Sequence, residues 1–498
     1  MGNAESGDNL SHNEPLATSR FRTDLILGYY ISHSLTEGKF MARRETLIDE
    51  LGRIVGMTNV RAEARALAEH MWDALSEARL HPQKRPEVVP PLCVVLPSST
   101  LEVQKIVRLA NEEKVSIVPF GGGSGLMGGA LSIRPGIVID LKRMDRILEV
   151  DRESRSVRVQ AGAILESVEK RLNEAGLILG HDPWTVPVAT VGGAISTNSV
   201  GYRGAKYGSM GDQVLGLEAV LPNGEIISTR RVEKSSTGMD LKRLFIGGEG
   251  CFGIVTEATL RVFPIPEERC VFGFGFASFD RGYGAIQKIF ARGLKPAVID
   301  FGDQGEMNPH AVLYLAFEGV REIVQAEKRL AVAICESEEG LRLPQEQAQR
   351  FWEDRHVIAH NFVRNRAARR DRRGGLARDW IHVALPASQV LPFKQAASEV
   401  ISRRGVSLQE CGLWNQPELF SMRIALQDEE QPERLEDAIE ELLRLVQEMG
   451  GSMEYCHGVG VKLGPLMQTE HGYGLDVMRK IKNSLDPNGI MNPGKMGL

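Results

Sequence analysis

The chain has 498 residues, 42% apolar and 25% charged, with a formal net charge of −5. That length is more than one compact core sustains and points to two domains with an extension. The slightly acidic balance argues against a chain built as a whole to bind nucleic acid or an anionic membrane. Glycine is over-represented, at 52 residues where about 7% is usual. It clusters at 121–129, 192–211 and 247–253, where backbone must turn sharply or approach something closely. Six scattered cysteines form no C-x-x-C pair, so no disulfide framework or zinc site is indicated and a reducing, cytoplasmic location is expected. No apolar run is long enough for a membrane-spanning helix, and none is expected.

The polar start, MGNAESGDNLSHNEP, lacks the features of a signal peptide. Its first six residues fit a myristoylation pattern, but one short enough to arise by chance, and residues 1–20 read as a disordered tail. From Phe21 to about Leu80, apolar residues at helical spacing predict a small helical lead-in. The proline-rich stretch RPEVVPPLCVVLPSS marks a boundary. Ser99 to Glu102 is a capping-box pattern opening a helix to about Glu113. Strands are predicted at VSIVPF (115–120), GIVIDL (136–141) and SVRVQAG, followed by an amphipathic helix ending at Gly176. A hairpin turning at Pro222-Asn223-Gly224 and a strand closed by Pro264 and Pro266 complete this part. Beyond Glu267 the pattern becomes β-α-β-β-α, then the same again from WIHVALP to residue 449. An antiparallel sheet with helices on one face is expected, acting as a lid. The fold class is thus α+β: a two-part nucleotide-binding domain and a cap domain.

Within PFGGGSGLMGG, residues 123–128 satisfy G-x-G-x-x-G. A Rossmann unit also needs a helix after that loop and an acidic residue about 20 positions on. The short stretch 130–135 before the next strand holds Ile133-Arg134-Pro135, a turn, so no helix dipole can receive a pyrophosphate. No Gly-Lys-Ser/Thr follows either, which excludes a P-loop. What remains is a glycine loop between two strands, whose N–H groups can form an anion-binding nest. Two further glycine-rich stretches, 182–212 and 245–260, imply a long ligand laid across backbone.

In their order, GGGSG-x-x-GG, GG-x-x-x-TN-x-x-G with a later YG, GGEG-x-x-GIVTEATL, CHGVG and LDPNGIMNPGK resemble the FAD enzymes of the para-cresol methylhydroxylase/vanillyl-alcohol oxidase superfamily. The resemblance is strong over 88–266, moderate over 350–498 and slight over the first 85 residues. Within that superfamily the chain is most similar to D-lactate dehydrogenases, the glycolate oxidase flavin subunit and alkyldihydroxyacetone-phosphate synthases. It implies domains at 1–85 (tail and helical extension), 86–266 (FAD-binding), 267–475 (cap) and 476–498 (a strip returning to the FAD domain). It also implies that Gly121, Gly122, Gly123, Ser124 and Gly125 hold the FAD pyrophosphate. Gly192, Gly193, Thr197, Asn198 and Ser199 would line the isoalloxazine side, and Gly253 and Ile254 would contact the adenosine part. Asn492 and Lys495 would approach the flavin ring, while Pro119, Leu126, Asp182 and Thr190 join the cofactor-binding set. Covalent members tether FAD through a histidine, in one branch within the first glycine loop; this loop has none, so noncovalent FAD is expected.

Flavin oxidation of a C–H bond needs a base for the hydroxyl proton and an anchor for an anionic group. A lone histidine is more often structural, but His457 stands in the family's His-Gly-Val-Gly pattern with glycine beside it, and it is the expected base. Arg355, in an FW-x-x-R pattern, and Arg378 are candidate anchors, since arginine can fork onto a carboxylate. The basic run Arg364–Arg373 reads as a solvated face, or else an entry funnel. The GH-x-GDGN-x-H stretch of metal-dependent 2-hydroxy-acid dehydrogenases is replaced here by CGLWNQPELFSMRIAL, so no metal is expected. The expected function is dehydrogenation of an alcohol or D-2-hydroxy acid by hydride transfer to flavin N5. The substrate is expected to be small and anionic, electrons passing to an acceptor or oxygen, in a homodimer with no nucleic-acid partner. Two alternatives stand beside it: redox-neutral transfer like that of alkylglycerone-phosphate synthase, and a flavin-carrying subunit of an electron-transfer complex.

Overall fold

The computed structural model describes residues 37–80, 86–303, 310–364, 378–426, 431 and 433–498. The N-terminal tail and the basic run beyond Arg364 lie outside them. In the lead-in, helices α1 (Glu37–Val55) and α2 (Ala64–His70) flank strand β1 (Val60–Arg61), which pairs antiparallel with β2 (Cys93–Val95). The boundary expected at residue 85 therefore falls inside a folded unit. Leu47, Leu51 and Val55 bury in the same core as Cys93, Ile106 and Ile117, so the extension is held by the apolar area it shares with the domain.

Helix α3 (Thr100–Glu113) starts as its sequence predicts, with Ser99 Oγ accepting from Glu102 N at 3.3 Å. The Glu102 carboxylate turns back to Ser98 N at 2.7 Å rather than to Ser99. Strands β3 (Ser116–Phe120) and β4 (Gly136–Asp140) pair in parallel, giving a sheet of order β1-β2-β4-β3. A parallel pair requires a crossover, and residues 121–135 make it without any helix. That irregular crossover is the glycine loop.

The second sheet runs β5 (Ile147–Asp151), β6 (Ser156–Gln160), β10 (Ile254–Pro264), β8 (Val214–Val220) and β9 (Ile226–Ser228), with β7 (Leu177–Leu179) also on β10. Helix α4 (Leu165–Asn173) buries Leu165, Val168 and Leu172 beneath it, and helix α5 (Val191–Thr197) packs against its central strands β10 and β6.

The cap is a seven-stranded antiparallel sheet made of two β-α-β-β-α units. The first comprises β11 (Glu268–Phe276), α6 (Phe279–Ala291), β12 (Val298–Asp303), β13 (Ala311–Gly319) and α7 (Arg321–Ser337). A short strand β14 (Leu341–Arg342) and helices α8 (Gln345–Asp354) and α9 (Val357–Arg364) connect it to the second unit. That unit is β15 (Arg378–Ala384), α10 (Val390–Arg404), β16 (Val406–Trp414), β17 (Leu419–Leu426) and α11 (Glu433–Glu448). The halves join at β12–β16, where Phe301 faces Leu413. Strand alternation sends Phe272, Phe274 and Phe276 to the helix-covered core, and Val271 to the other face. The helices of both units share one face, as expected, and the connector adds a helix on the other. Helix α8 packs on the opposite face, where Phe351 stacks on Tyr314 at 4.4 Å and Tyr202 of the first domain joins them.

After helix α12 (Tyr473–Leu485) the C-terminal strip returns to the first domain beside β3, through Ile117 N to Ile490 O (2.7 Å) and Asn492 N to Ile117 O (2.8 Å).

Candidate active site

A cleft enclosing about 1250 Å³ of non-protein space, open solvent included, runs between the glycine loop, the 183–200 segment and the cap. The loop glycines divide into two kinds. A Cβ at Gly121 would stand 2.4 Å from Thr190 Oγ1, and one at Gly122 would stand 2.1 Å from Val188 O. These two are glycine because the loop is pressed against the opposite wall. Among the described residues no protein acceptor faces the N–H groups of Gly123, Ser124 or Gly125, and Gly123 is buried in the left-handed conformation at φ +60°. The buried Gly123 amide without an acceptor calls for one, and with the half-buried Ser124 and Gly125 it makes a run of free N–H groups that suits a diphosphate. The residues present therefore fit a cofactor that carries a diphosphate, as FAD does.

The facing wall is the N-terminal part of α5. Thr190 Oγ1 accepts from Gly193 N (3.3 Å), and Gly192 N donates to Ala161 O (2.7 Å). The first helical amides are thus already satisfied, and Gly193, Ser196 and Thr197 offer a flat side to the cleft. Ser199 also lines it and contacts buried His181 at 3.1 Å. Pro119 and Leu126, and Gly253 with Ile254, complete the cofactor walls.

Four residues expected to bind the cofactor do not line the cleft. Asn198, at φ +49°, ends α5 and accepts from Gly211 N at 3.0 Å. Asn492 donates from Nδ2 to the carbonyls of Gly129 (2.9 Å) and Glu249 (2.6 Å). Lys495, fully buried, donates to Leu131 O at 2.8 Å. Both C-terminal residues brace the glycine loop from behind. Asp182 is buried under Arg203 (3.5 Å), Arg355 (3.0 Å) and His356 (2.9 Å). Burial alone would raise its carboxyl, but Arg203, His356 and Arg355 outweigh that and hold it well below the usual range. This ion cluster ties the first domain to the connector between the cap's two units.

Arg355 is therefore engaged. Its guanidinium lies over the Trp352 ring at 3.8 Å and its Nη1 donates to Trp352 O at 2.6 Å. Arg378 is exposed at the start of β15. Neither arginine lines the cleft.

His457 does line it. Its amide donates to Glu454 Oε1 (2.9 Å), its Nδ1 lies 3.6 Å from the same oxygen, and its ring meets His382 edge-on at 4.6 Å. His382 is held by Ser421 Oγ at 2.7 Å, and Ser421 by Tyr455 Oη at 2.9 Å. Burial would lower the proton affinity of His457, but the Cys456 thiol and the Glu454 carboxylate overcome it and raise the imidazole to about 10.

Sequence reasoning missed Asp73, Trp184, Glu249 and Cys456, all lining the cleft. Asp73 accepts from Leu75 N (3.0 Å) and Ala130 N (3.4 Å), and burial pushes it up to about 6. It comes from the lead-in, where the chain carried no motif. Glu249 and Cys456 stood inside quoted motifs, but only the fold turns them inward. Among the described residues no group of three or more His, Cys, Asp and Glu is placed to hold a metal ion, and no helix is long and apolar enough to cross a membrane.

Free backbone amides, a helix flank and a histidine thus line one cleft. Residues 91–230 match the FAD binding domain family and 265–496 the C-terminal domain of FAD linked oxidases. The chain is 31% identical over 427 residues to the glycolate oxidase subunit GlcD of Bacillus subtilis (strain 168), covering 82% of this chain and 89% of that one. Its fold is similar to that of a p-cresol methylhydroxylase solved with substrate bound (TM-score 0.74, 19% identity, 91% of this chain and 96% of the other). It is similar too to an alkyldihydroxyacetonephosphate synthase structure (TM-score 0.72, 22% identity, 90% and 85%). The chain belongs to the FAD-linked oxidase family, and FAD is its cofactor.

Proposed function

We propose that this protein dehydrogenates the CH–OH group of a small 2-hydroxy acid, with His457 as general base. The observation that carries the reading is that His457 shares one cleft with the free amides of residues 123–125, in a chain similar to a glycolate oxidase subunit. FAD, held by the glycine loop and the facing helix, would supply the two-electron hydride acceptor, N5, with a separate electron acceptor or oxygen as the final oxidant. His457 receives the hydroxyl proton as the C–H bond breaks, leaving a carbonyl. Glu454 orients the imidazole from the Nδ1 side, and His382 closes its other flank. Trp184, Leu126 and Val200 give the cleft apolar surface, which excludes water from the reacting atoms. The cofactor is noncovalent, since the glycine loop offers no histidine to tether it.

Anaerobic mixing of the yellow holoprotein with a panel of 2-hydroxy acids tests this. Bleaching of the flavin band supports dehydrogenation, while turnover without bleaching points to redox-neutral transfer. Reduction by a partner protein alone, and by no substrate, points to an electron-carrying subunit. Acid precipitation should release the flavin into the supernatant, and flavin remaining in the pellet contradicts the noncovalent assignment.

A further inference from the structure

We infer that Glu249 is a positioning residue for His457, its carboxylate clamping the loop that carries the histidine onto the wall of the cofactor cleft. The inference rests on the base assignment above. Glu249 is only 7% exposed and lines the cleft. Its backbone is fixed from both sides: its N–H donates to Ser196 O of α5 (2.9 Å), and its carbonyl accepts from Asn492 of the C-terminal strip (2.6 Å). The residue itself sits at φ +46°, followed by Gly250 at +74°, a conformation that aims the side chain across the cleft. There Oε1 accepts from Val459 N (2.5 Å) and Oε2 from Gly460 N (2.8 Å).

These two amides follow His457 directly, separated from it only by Gly458. The loop has no room to sit otherwise. A Cβ at Gly458 would lie 2.5 Å from Glu249 Oε1, and one at Gly460 would lie 1.9 Å from Met127 O. Met127 O also accepts from Val461 N (3.0 Å) and Lys462 N (3.1 Å). One carboxylate and one carbonyl thus fix the His457 loop against the glycine loop. The distance between base and cofactor is set by Glu249 rather than by the cap sheet alone. Since an error of about 1 Å in such placement can cost on the order of 10²-fold in rate, the clamp bears on chemistry and not on folding alone.

The clamp needs an ionised carboxylate, because a protonated oxygen facing an N–H group loses its bond. Asp73 of the lead-in, Cys251 of the same turn, Lys495 of the strip and His457 on the clamped loop are the titratable groups around it. Burial, with Asp73 adding like charge, raises Glu249 to about 7 against the pull of Val459 N, Gly460 N and Lys495. The rate of flavin reduction is therefore gained as pH rises through about 7.

Anaerobic stopped-flow reduction of the FAD holoprotein by its best 2-hydroxy acid provides the test, with wild type, Glu249→Gln, His457→Ala and the double variant compared. Glu249→Gln should keep FAD at wild-type stoichiometry and substrate affinity, reduce it on the order of 10²-fold more slowly, and lose the steeper rise that wild type shows below about 7, keeping only the rise towards higher pH that His457 sets. The double variant should be no slower than His457→Ala. Glu249→Asp, which keeps the charge with a shorter reach, should fall between wild type and Glu249→Gln. A fast Glu249→Gln beside a slow His457→Ala overturns the positioning role alone, and so do additive losses in the double variant. A fast His457→Ala sinks the base assignment and the positioning role with it. Recovery of both Glu249 variants without FAD makes the residue a cofactor-retaining one and also overturns the inference.

Discussion

Where the cleft meets the glycine loop its surface is main chain, whereas around His457 it is made by side chains that separate segments bring together. The glycine-loop end offers the unpaired amides of residues 123–125 and a glycine-bearing helix flank. The His457 end gathers Trp184, Glu249, Cys456 and His457 from the second-sheet part of the first domain and the chain's last fifty residues, while Asp73 of the lead-in enters the cleft beside Gly125. A main-chain surface tolerates little added volume but needs no particular side chain. A convergent surface tolerates new volume but depends on each charge. Substitutions should therefore fail in different ways at the two ends.

The largest effect is expected at Gly122→Ala, whose new Cβ would stand 2.1 Å from the main-chain oxygen of Val188. Neither atom can move alone, so overpacking of about 1–3 kcal/mol or more falls on the loop itself. The variant should lack FAD and melt lower than wild type; a yellow protein with unchanged melting would break the comparison. Next comes His457→Ala, which should keep FAD and lose on the order of 10²–10⁴-fold in substrate-dependent reduction. Gly125→Ala is the counterpart of Gly122→Ala. Its Cβ would meet Asp73 Oδ2 at an ordinary 3.4 Å. It should melt as the wild-type apoprotein does, yet bind FAD about tenfold more weakly, a loss of about 1.4 kcal/mol, measured by equilibrium titration of the apoprotein. Identical behaviour of the two glycine variants would erase the distinction between packing and ligand glycines.

A further prediction concerns pH. The neutral imidazole is the working form of His457 and its proton is held up to about 10, so reduction should quicken as pH rises towards that value, by at most about tenfold per unit. His457→Ala should abolish this dependence, and a wild-type profile flat above pH 8 would remove His457 as base.

The main-chain end was legible because glycine spacing reports backbone demands directly. The absence of a helix between Gly129 and β4, read from Ile133-Arg134-Pro135, holds in the fold. Both β-α-β-β-α units were legible from alternation and periodicity, to within a few residues at each helix. What stayed hidden depends on long-range convergence. Nothing near Asp73 announces that Ala74 N will donate to Gly125 O at 2.9 Å and carry the neighbouring carboxyl into the cleft. Arg355 reads as an anion anchor until Asp182, 173 residues away in sequence, is found beneath it. Asn492 and Lys495 stand near the cleft but bond to the carbonyls of Gly129, Glu249 and Leu131, because their strip returns beside β3.

The cap's two halves carry a further consequence. Each repeat spends its helices on one face of the sheet, and the connector carrying α8 crosses to the other, towards the first domain. The repeated scaffold and the surface that meets the first domain at Tyr202 and Asp182 are thus encoded by different stretches of chain. Exchanges within helix α8 can retune how the cap seats on the first domain while the duplicated strands keep their register.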